Sequence, residues 1–521
     1  MESVAAIFSL VARKRFGVFE DPVCETASIF RRLSQAASLS QGNQTMKKHK
    51  KTKPNPEAAK PLHEPKPDAA GIDLGATEIW VAVAPDRCQM PIRRFGAFTQ
   101  DLLAILQWLL ECGIRTVAME ATGVYWIALY QLVADAGIEV CLVNARHVKN
   151  VPGRKSDVRD CQWLQYLHSV GLLMASFRPA QIICQTRSIY RFRQNLLTQV
   201  GQHLQHMQAA LDQMNIKLHH VINDLSGQTG MAIIEAILNG ERDPLRLAQY
   251  RDRRIKATQE TIAKSLEGDW RSEHLFVLRL AWENGKQVQE QIKKCDQELM
   301  QYTRQLEAKT MVAQPIVPVK IMSLNVEPGV PELTPAPAVR PAKPRKKTSK
   351  NEPDGPWREN LHRFFGVDLT LIPAISVLTG ITLMTELGND LSAFKTVHHF
   401  CSWLCLCPDN ETSAGKVLHK STRRSQNRVR QALRMAASSL HHDKSYLGDK
   451  YRRLRAKLGA PKAITAMAHQ IARIIWYLIT HQVAFDMSIF AELEKANQKR
   501  HLNRLNSAAH QMGYQLTPIA A

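Results

Sequence analysis

The sequence predicts an α/β domain with a mixed sheet, followed by a long helical hairpin and a second, helical domain. Three observations predict it. Between residues 69 and 150, short β-rich runs alternate with amphipathic helical ones. From about residue 157 the apolar spacing turns helical and stays so. A Pro-rich, basic stretch at 311–357 then separates a last helical block from the rest.

Residues 1–68 read as an appendage. The run "MKKHKKTKPNPEAAKPLHEPKPDAA" is rich in Lys and Pro and lacks the large apolar groups a core requires. Met46 opens that tail and offers an alternative start of translation. The first residues, "MESVAAIFSLVARKRFGVFEDP", hold only a short apolar stretch followed by charges, unlike a secretory signal.

The α/β domain is expected over 69–175. "AGIDLG" and "EIWVAVAPD" read as a strand pair around a turn, and "PIRRFGAF" as a third strand. "TQDLLAILQWLLECG" has helical apolar spacing and stops at Gly113. "IRTVAME" is a buried strand, "GVYWIALYQLVADAG" a second helix and "IEVCLVN" the last strand. Residues 176–310 hold two long polar-rich segments with periodic Leu, Ile, Val and Met, one starting "TRSIYRFRQNLL" and the other "ENGKQVQEQIKK". They fit either the arms of an antiparallel hairpin or coiled coil, or an ordinary helical bundle. After the 311–357 linker, an all-α domain is expected over 358–485 and a tail over 486–521.

Lys and Arg total 69 against 47 Asp and Glu, a formal charge of +22. That excess fits a polyanionic partner, nucleic acid ahead of an acidic membrane surface. No apolar run reaches the roughly 18–20 residues of a membrane span. The ten cysteines are scattered, and the C-x-C of Cys405 and Cys407 lacks the second pair of a zinc site. Free thiols in a reducing cytosol are the expectation.

Carboxylates carry the chemistry. Asp73 sits inside an apolar strand, where an unpaired charge is costly. Glu120 ends the strand "TVAME", and the first and fourth strands of such a topology are commonly neighbours. Asp157 and Asp160, in "GRKSDVRDCQWL", lie three apart at a helix start and share a face. Taken singly, these residues have ordinary explanations: a turn-capping aspartate, or an N-cap with first-turn acids favoured by the helix dipole. Together they would repel one another unless cations neutralise them. An all-oxygen set favours Mg²⁺ or Mn²⁺, and two such ions about 4 Å apart are the usual clamp for phosphodiester chemistry. Arg154, Lys155 and Arg159 beside those acids would hold the nucleic-acid phosphate.

Between Lys416 and Lys457 there are 13 Lys or Arg against two acids, Asp443 and Asp449. Lys416, Lys420, Arg423, Arg424, Arg428 and Arg430 are the candidate phosphate contacts, a solvated basic face being the alternative. The preceding "NETSAGK" is a polar loop holding Ser413. "LTLIPAISVLTGITLMTELG" has the outline of a helix-hairpin-helix, but its turn Pro373-Ala374-Ile375-Ser376 lacks glycine, so a packing role is as open as backbone contact with DNA.

"GIDLGATEIWVAVAPD", "MEATGVYW" and "VPGRKSDVRDCQWLQYLHSVGLL" resemble the N-terminal domain of DEDD-type insertion-sequence transposases, the insertion-sequence 110/1111 group. "HHFCSWLCLCPDNETSAGKVLHKSTRRSQNRVRQALRMAA" resembles that group's second block. The likeness covers about 69–310 and 358–485. It implies a ribonuclease-H-like (RuvC-like) catalytic domain with Asp73, Glu120, Asp157 and Asp160 as its acidic tetrad and metal ligands. It also implies that Ser413 attacks DNA to form a covalent serine–phosphate link. This chain has Ala414 where the group usually has Gly; Ser421 and Ser425 are the fallback nucleophiles. The expected partners are DNA (element ends and target), a structured guide RNA encoded by the element and further copies of the chain as dimer or tetramer, with no membrane. The expected place is the bacterial cytoplasm, on the nucleoid when DNA is bound. A metal-dependent nuclease or Holliday-junction resolvase would use the same tetrad with water as nucleophile. An actin-like phosphotransferase would share "IDLGAT" but needs a second Gly-rich phosphate loop.

Overall fold

A computed structural model describes residues 66–121, 123–144, 157–310, 349–413, 416–423 and 425–515. Residues 1–65 of the N-terminal appendage, with Met46, the residues Arg154 and Lys155, residues 311–348 of the Pro-rich linker and Arg424 lie outside these. The chain divides between Ser176 and Phe177 into two compact units.

The first unit is built on a five-stranded mixed sheet. Strands β1 (Ala69–Leu74), β2 (Glu78–Ala82) and β3 (Ile92–Gly96) form an antiparallel meander, and β4 (Thr116–Glu120) and β5 (Glu139–Val143) add in parallel, giving the order β3-β2-β1-β4-β5. Helix α1 (Thr99–Glu111) connects β3 to β4, α2 (Trp126–Asp135) connects β4 to β5, and α3 (Asp157–Ser169) follows. Successive strand residues face opposite sides, and the two faces differ in size here. Ile72, Leu74, Val81, Val117, Met119 and Leu142 pack with Ile105, Trp108 and Leu109 of α1 and Leu129 and Val133 of α2. On the other face, the small residues Ala118 and Cys141, with Val143, meet Leu164 of α3. Small side chains there let a helix lie close.

In the second unit, α4 (Gln181–Gln213) and α9 (Ser272–Thr310) pack as the expected helical hairpin. The buried Arg193 is ion-paired with Asp296 between them and fixes their register. Four short helices, α5 (Leu218–Val221), α6 (Gln228–Leu238), α7 (Pro244–Ala248) and α8 (Gln259–Ser265), cap the tip around Ile216, Ile233, Ile237, Leu247 and Ile262. The last helical block comprises α10 (Trp357–Phe365), α11 (Val377–Leu387), α12 (Val397–Trp403), α13 (Arg428–Ser439), α14 (Tyr446–Leu458) and α15 (Ala460–His481), with α16 (Ala491–Gln511) beyond. Its core holds Trp357, Phe364, Phe400, Ile471 and Ile475. The buried Glu386 of α11 takes Arg191 of α4 in a two-bonded pair at 2.8 and 2.7 Å and draws Arg187 to 3.4 Å, tying the base of the hairpin to this block.

One expectation is corrected. The block is not all-α: β6 (Asp409–Ser413) and β7 (Lys416–Ser421) form an antiparallel hairpin where a polar loop was expected. Two residues, Ala414 and Gly415, separate the strands, a spacing that suits a tight hairpin. The polar strands carry no hydrophobic alternation to announce them. Among the described residues, no helix is long and apolar enough to cross a membrane.

Candidate active site

The pairing Ile72↔Met119 in the parallel ladder puts Asp73 and Glu120, one residue on in each strand, at matching ends of β1 and β4. Asp73 lies two residues from Gly71 and Glu120 two from Ala118, so both carboxylates stand on the sheet face that α3 covers. Both are half-buried and have polar partners.

Helix α3 crosses that face with its backbone almost against β1. A Cβ added at Gly71 would fall on the Cys161 carbonyl oxygen and the Gln165 amide, and within 2.9 Å of Gln165 Cα. Four residues further along α3, the Gln165 side-chain amide donates to the Ala69 carbonyl oxygen at 3.4 Å. Gly71 is therefore level with the Cys161–Gln165 turn, and the Ser169 carbonyl at the far end of α3 accepts the Lys66 amide, before β1, at 2.6 Å: the helix runs antiparallel to β1. Four helical residues rise about 6 Å and two strand residues about 6.6 Å. The same step taken forward brings the first turn of α3, with Asp157 and Asp160, to the end of β1 that carries Asp73.

The Cys161 thiol registers this convergence. Burial pushes it up to about 12, and the negative charges of Asp73 and Asp160 add to the shift. One buried thiol thus feels a carboxylate from the strand and one from the helix. Asp157 begins α3 as backbone; its side chain and that of Arg159 lie outside the description, as do Arg154 and Lys155. Among the described residues, no group of three or more His, Cys, Asp or Glu side chains is gathered to hold an ion. The donors Asp73, Glu120 and Asp160 are all carboxylates, a set that fits a hard divalent cation and not zinc.

The second unit holds the other candidate residues. Ser413 ends β6, and the ladder pairs it directly with Lys416 at the start of β7; Lys420 is paired with Asn410. The two fallback serines are committed locally: the Ser421 hydroxyl donates to the Asp409 carbonyl at 3.3 Å, and the Ser425 hydroxyl accepts the Asn427 amide at 3.1 Å. Arg428 is exposed at the first turn of α13. Arg423 donates to the carbonyl and hydroxyl oxygens of Ser402 at 2.9 and 2.7 Å. Arg430 is buried and donates to the Arg423 carbonyl at 3.0 Å and the Thr422 hydroxyl at 3.4 Å. These two guanidinium groups hold the segment leaving β7 in place. Asn427 caps α13 by accepting the Arg430 amide at 3.0 Å.

Sequence reasoning passed over Gly71, although a glycine inside a strand pattern is the usual sign of close backbone approach. It also passed over Cys161, for which no signal existed, and the positioning work of Arg423 and Arg430.

Two family models match the chain. The DEDD transposase model of the IS110 kind, described as a transposase, covers residues 70–216. The model described as "Transposase IS116/IS110/IS902 family" covers residues 368–452. The first spans the carboxylate site and the outgoing arm of the hairpin, and the second spans the β6–β7 hairpin with its basic flank. No curated protein matches the chain. On these two matches the chain belongs to the IS110-family DEDD transposases, enzymes that move DNA.

Proposed function

We propose that this transposase excises and inserts an insertion sequence by strand cleavage and exchange through a covalent serine–DNA intermediate. The observation that carries the reading is the placement of Asp73 and Glu120 at neighbouring strand ends under the first turn of α3. Asp73, Glu120, Asp157 and Asp160 would hold Mg²⁺ or Mn²⁺. A divalent cation bound there would neutralise charge on the scissile phosphate and favour an oxygen nucleophile.

The chain's own residues do the rest. The Ser413 hydroxyl loses its proton and its oxygen bonds to phosphorus, and the displaced sugar oxygen leaves and is protonated. The reverse attack by a sugar hydroxyl of another strand releases the serine and completes the exchange. Lys416 is paired with Ser413 in the ladder, and its ammonium group would help hold the phosphate that the serine attacks. Arg154, Lys155, Arg159, Lys416, Lys420, Arg424 and Arg428 would meet phosphates, consistent with the +22 charge. The same charge accommodates a structured RNA encoded by the element, which would select the target and donor DNA. Exchange needs several strands at once, and we place it in a dimer or tetramer acting on nucleoid DNA in the cytoplasm.

The decisive experiment mixes the full chain, its co-purified RNA and DNA of the element ends with Mg²⁺, followed by denaturing electrophoresis. The wild type should give a protein–DNA adduct; Ser413→Ala should bind DNA and give none, and Asp160→Asn should abolish cleavage altogether. Unchanged cleavage by Ser413→Ala would instead identify a nuclease or junction resolvase that uses water. Sequencing of the nucleic acid that co-purifies tests the guide: recovery of no specific RNA counts against it.

A further inference from the structure

Helices α14 and α15 meet at Gly459, whose φ of +80° turns the chain sharply, and pack against each other. Their facing sides carry an unusual set of charges. Lys450 and Arg453 lie three apart on α14, and His469 and Arg473 four apart on α15. Positions at these spacings share a helix face. Lys450 Nζ donates to Gln470 Oε1 at 3.5 Å, a contact that joins the two helices at this level. His469 Nε2 lies 3.9 Å from Cys407 Sγ.

Nothing described neutralises the cluster. Arg473 Nε is buried without a hydrogen-bond partner. Asp449, the acid of α14, is committed to Arg452. Among the described residues, no carboxylate forms an ion pair with Lys450, Arg453, His469 or Arg473. The cations act on one another instead. Lys450 is held below the usual lysine value first by burial, then by Arg453 and Arg473. His469 is lowered first by burial, then by Arg473 and His398. Gathering like charges in a partly buried position is unfavourable unless an anion completes it. The flanking surface extends the trend: Arg453 and Lys457 are exposed on the same face of α14 as Lys450.

We propose that Lys450, His469 and Arg473 form a partly buried socket for one backbone phosphate of a bound nucleic acid, with Arg453 at its mouth. A guanidinium with a free Nε–H beside an ammonium group matches a phosphodiester's oxygens in both charge and donor direction. The exposed cations of α14 favour a polymer whose neighbouring phosphates continue past the socket, over a lone anion. The socket extends the nucleic-acid reading above and is independent of the serine chemistry. Its residues belong to α14 and α15, and none of them is a residue of the β6–β7 hairpin.

Fluorescence anisotropy with labelled duplex DNA of mixed sequence, across a salt series, tests it on the full chain. Arg473→Gln and Lys450→Gln should each weaken binding about ten-fold at low salt, and each should make the slope of log affinity against log salt shallower by about 0.9, the loss of one phosphate contact. Arg473→Lys should recover part of the slope. Circular dichroism melts identify a variant that fails to fold, and the other variant then carries the test. An unchanged slope in a folded Lys450→Gln or Arg473→Gln overturns the socket. So does a thermal shift with inorganic phosphate that both variants abolish while their DNA slopes stay at the wild-type value, because it identifies a free-anion site. Failure of the wild type itself to bind DNA would strike the nucleic-acid reading as a whole, and is distinct from either variant result.

Discussion

Gly71 of β1 and Cys161 of α3 meet backbone to backbone, with no room between them for a methyl group. That contact sets the height of α3 above the sheet. The acids at the start of α3 then come level with Asp73 and Glu120. Replacing Gly71 by Ala places Cβ on the Cys161 carbonyl oxygen and the Gln165 amide, neither of which can swing aside as a side chain could. Gly71→Ala is expected to destabilise the first unit by about 3 kcal/mol and to lower DNA cleavage more than DNA binding. Gly201→Ala is the control, since nothing lies within 4 Å of its added Cβ in α4; it should stabilise by up to about 1 kcal/mol. Melting curves of both variants decide it, and an unshifted Gly71→Ala curve would remove the close contact from the explanation of the site.

Arg430 was a candidate phosphate contact on sequence, and its guanidinium is instead occupied by the Arg423 carbonyl and the Thr422 hydroxyl. Two of its nitrogens are spent on the protein, and the Nε that has no partner is buried, so a phosphate would have to displace bonds already made. Arg430→Gln should therefore leave the salt slope of DNA binding unchanged while costing about 2 kcal/mol of stability, from carbonyl and hydroxyl groups left without their donor. A slope shallower by about 0.9 would restore Arg430 as a phosphate contact.

The sheet was legible because its strands are short apolar runs and its helices keep a 3.6-residue rhythm to a glycine stop. Asp73 and Glu120 were legible for a related reason: a carboxylate at the end of an apolar strand stands out against its surroundings. The β6–β7 hairpin was not. Its strands, "DNETS" and "KVLHKS", are mostly polar, and their two-residue connection reads as loop until pairing is seen. Cys161 and His168 were equally silent, because burial that depends on how closely a helix approaches a sheet leaves no periodic trace. The hairpin of α4 and α9 showed in its period, while the buried Arg193–Asp296 pair that sets its register did not.

Ala374 occupies a left-handed conformation, φ +74°, in the Pro373–Ser376 turn where a helix-hairpin-helix would carry glycine. An L-residue bears about 1–2 kcal/mol of strain there, and glycine would relieve it at an entropic cost of about 0.5–1 kcal/mol. Ala374→Gly is expected to raise the unfolding midpoint of the second unit slightly, by about 0.5–1 kcal/mol in stability. Ser376 caps α11 by accepting the Thr379 amide at 3.2 Å and is untouched by the change. A lowered midpoint would show that the side-chain methyl, packed against the core of this block, outweighs the backbone strain.

His168, on the last turn of α3, is buried and shares a 2.8 Å hydrogen bond between Nε2 and the Thr116 hydroxyl at the start of β4. Burial, with Lys66 adding to it, depresses its pKa from 6.5 to about 4, against the opposing pull of Glu139 and Asp68. The folded unit therefore prefers the neutral ring. Above pH 6.5 the ring is neutral in both states and its contribution is complete. Between pH 6.5 and about 4 the unfolded chain takes up a proton that the folded chain refuses, so stability falls as pH drops. At pH 5 the loss should be about 2 kcal/mol, approaching about 3 kcal/mol near pH 4. His168→Gln removes the titrating group and should lose about 2 kcal/mol less than wild type between pH 7 and pH 5, although it is less stable at pH 7 through the altered packing. Urea unfolding at both pH values, followed by proteolysis of first-unit peptides, measures the difference. Equal losses in the two proteins would mean that His168 is already charged in the folded chain, and that the α3–β4 contact tolerates an imidazolium.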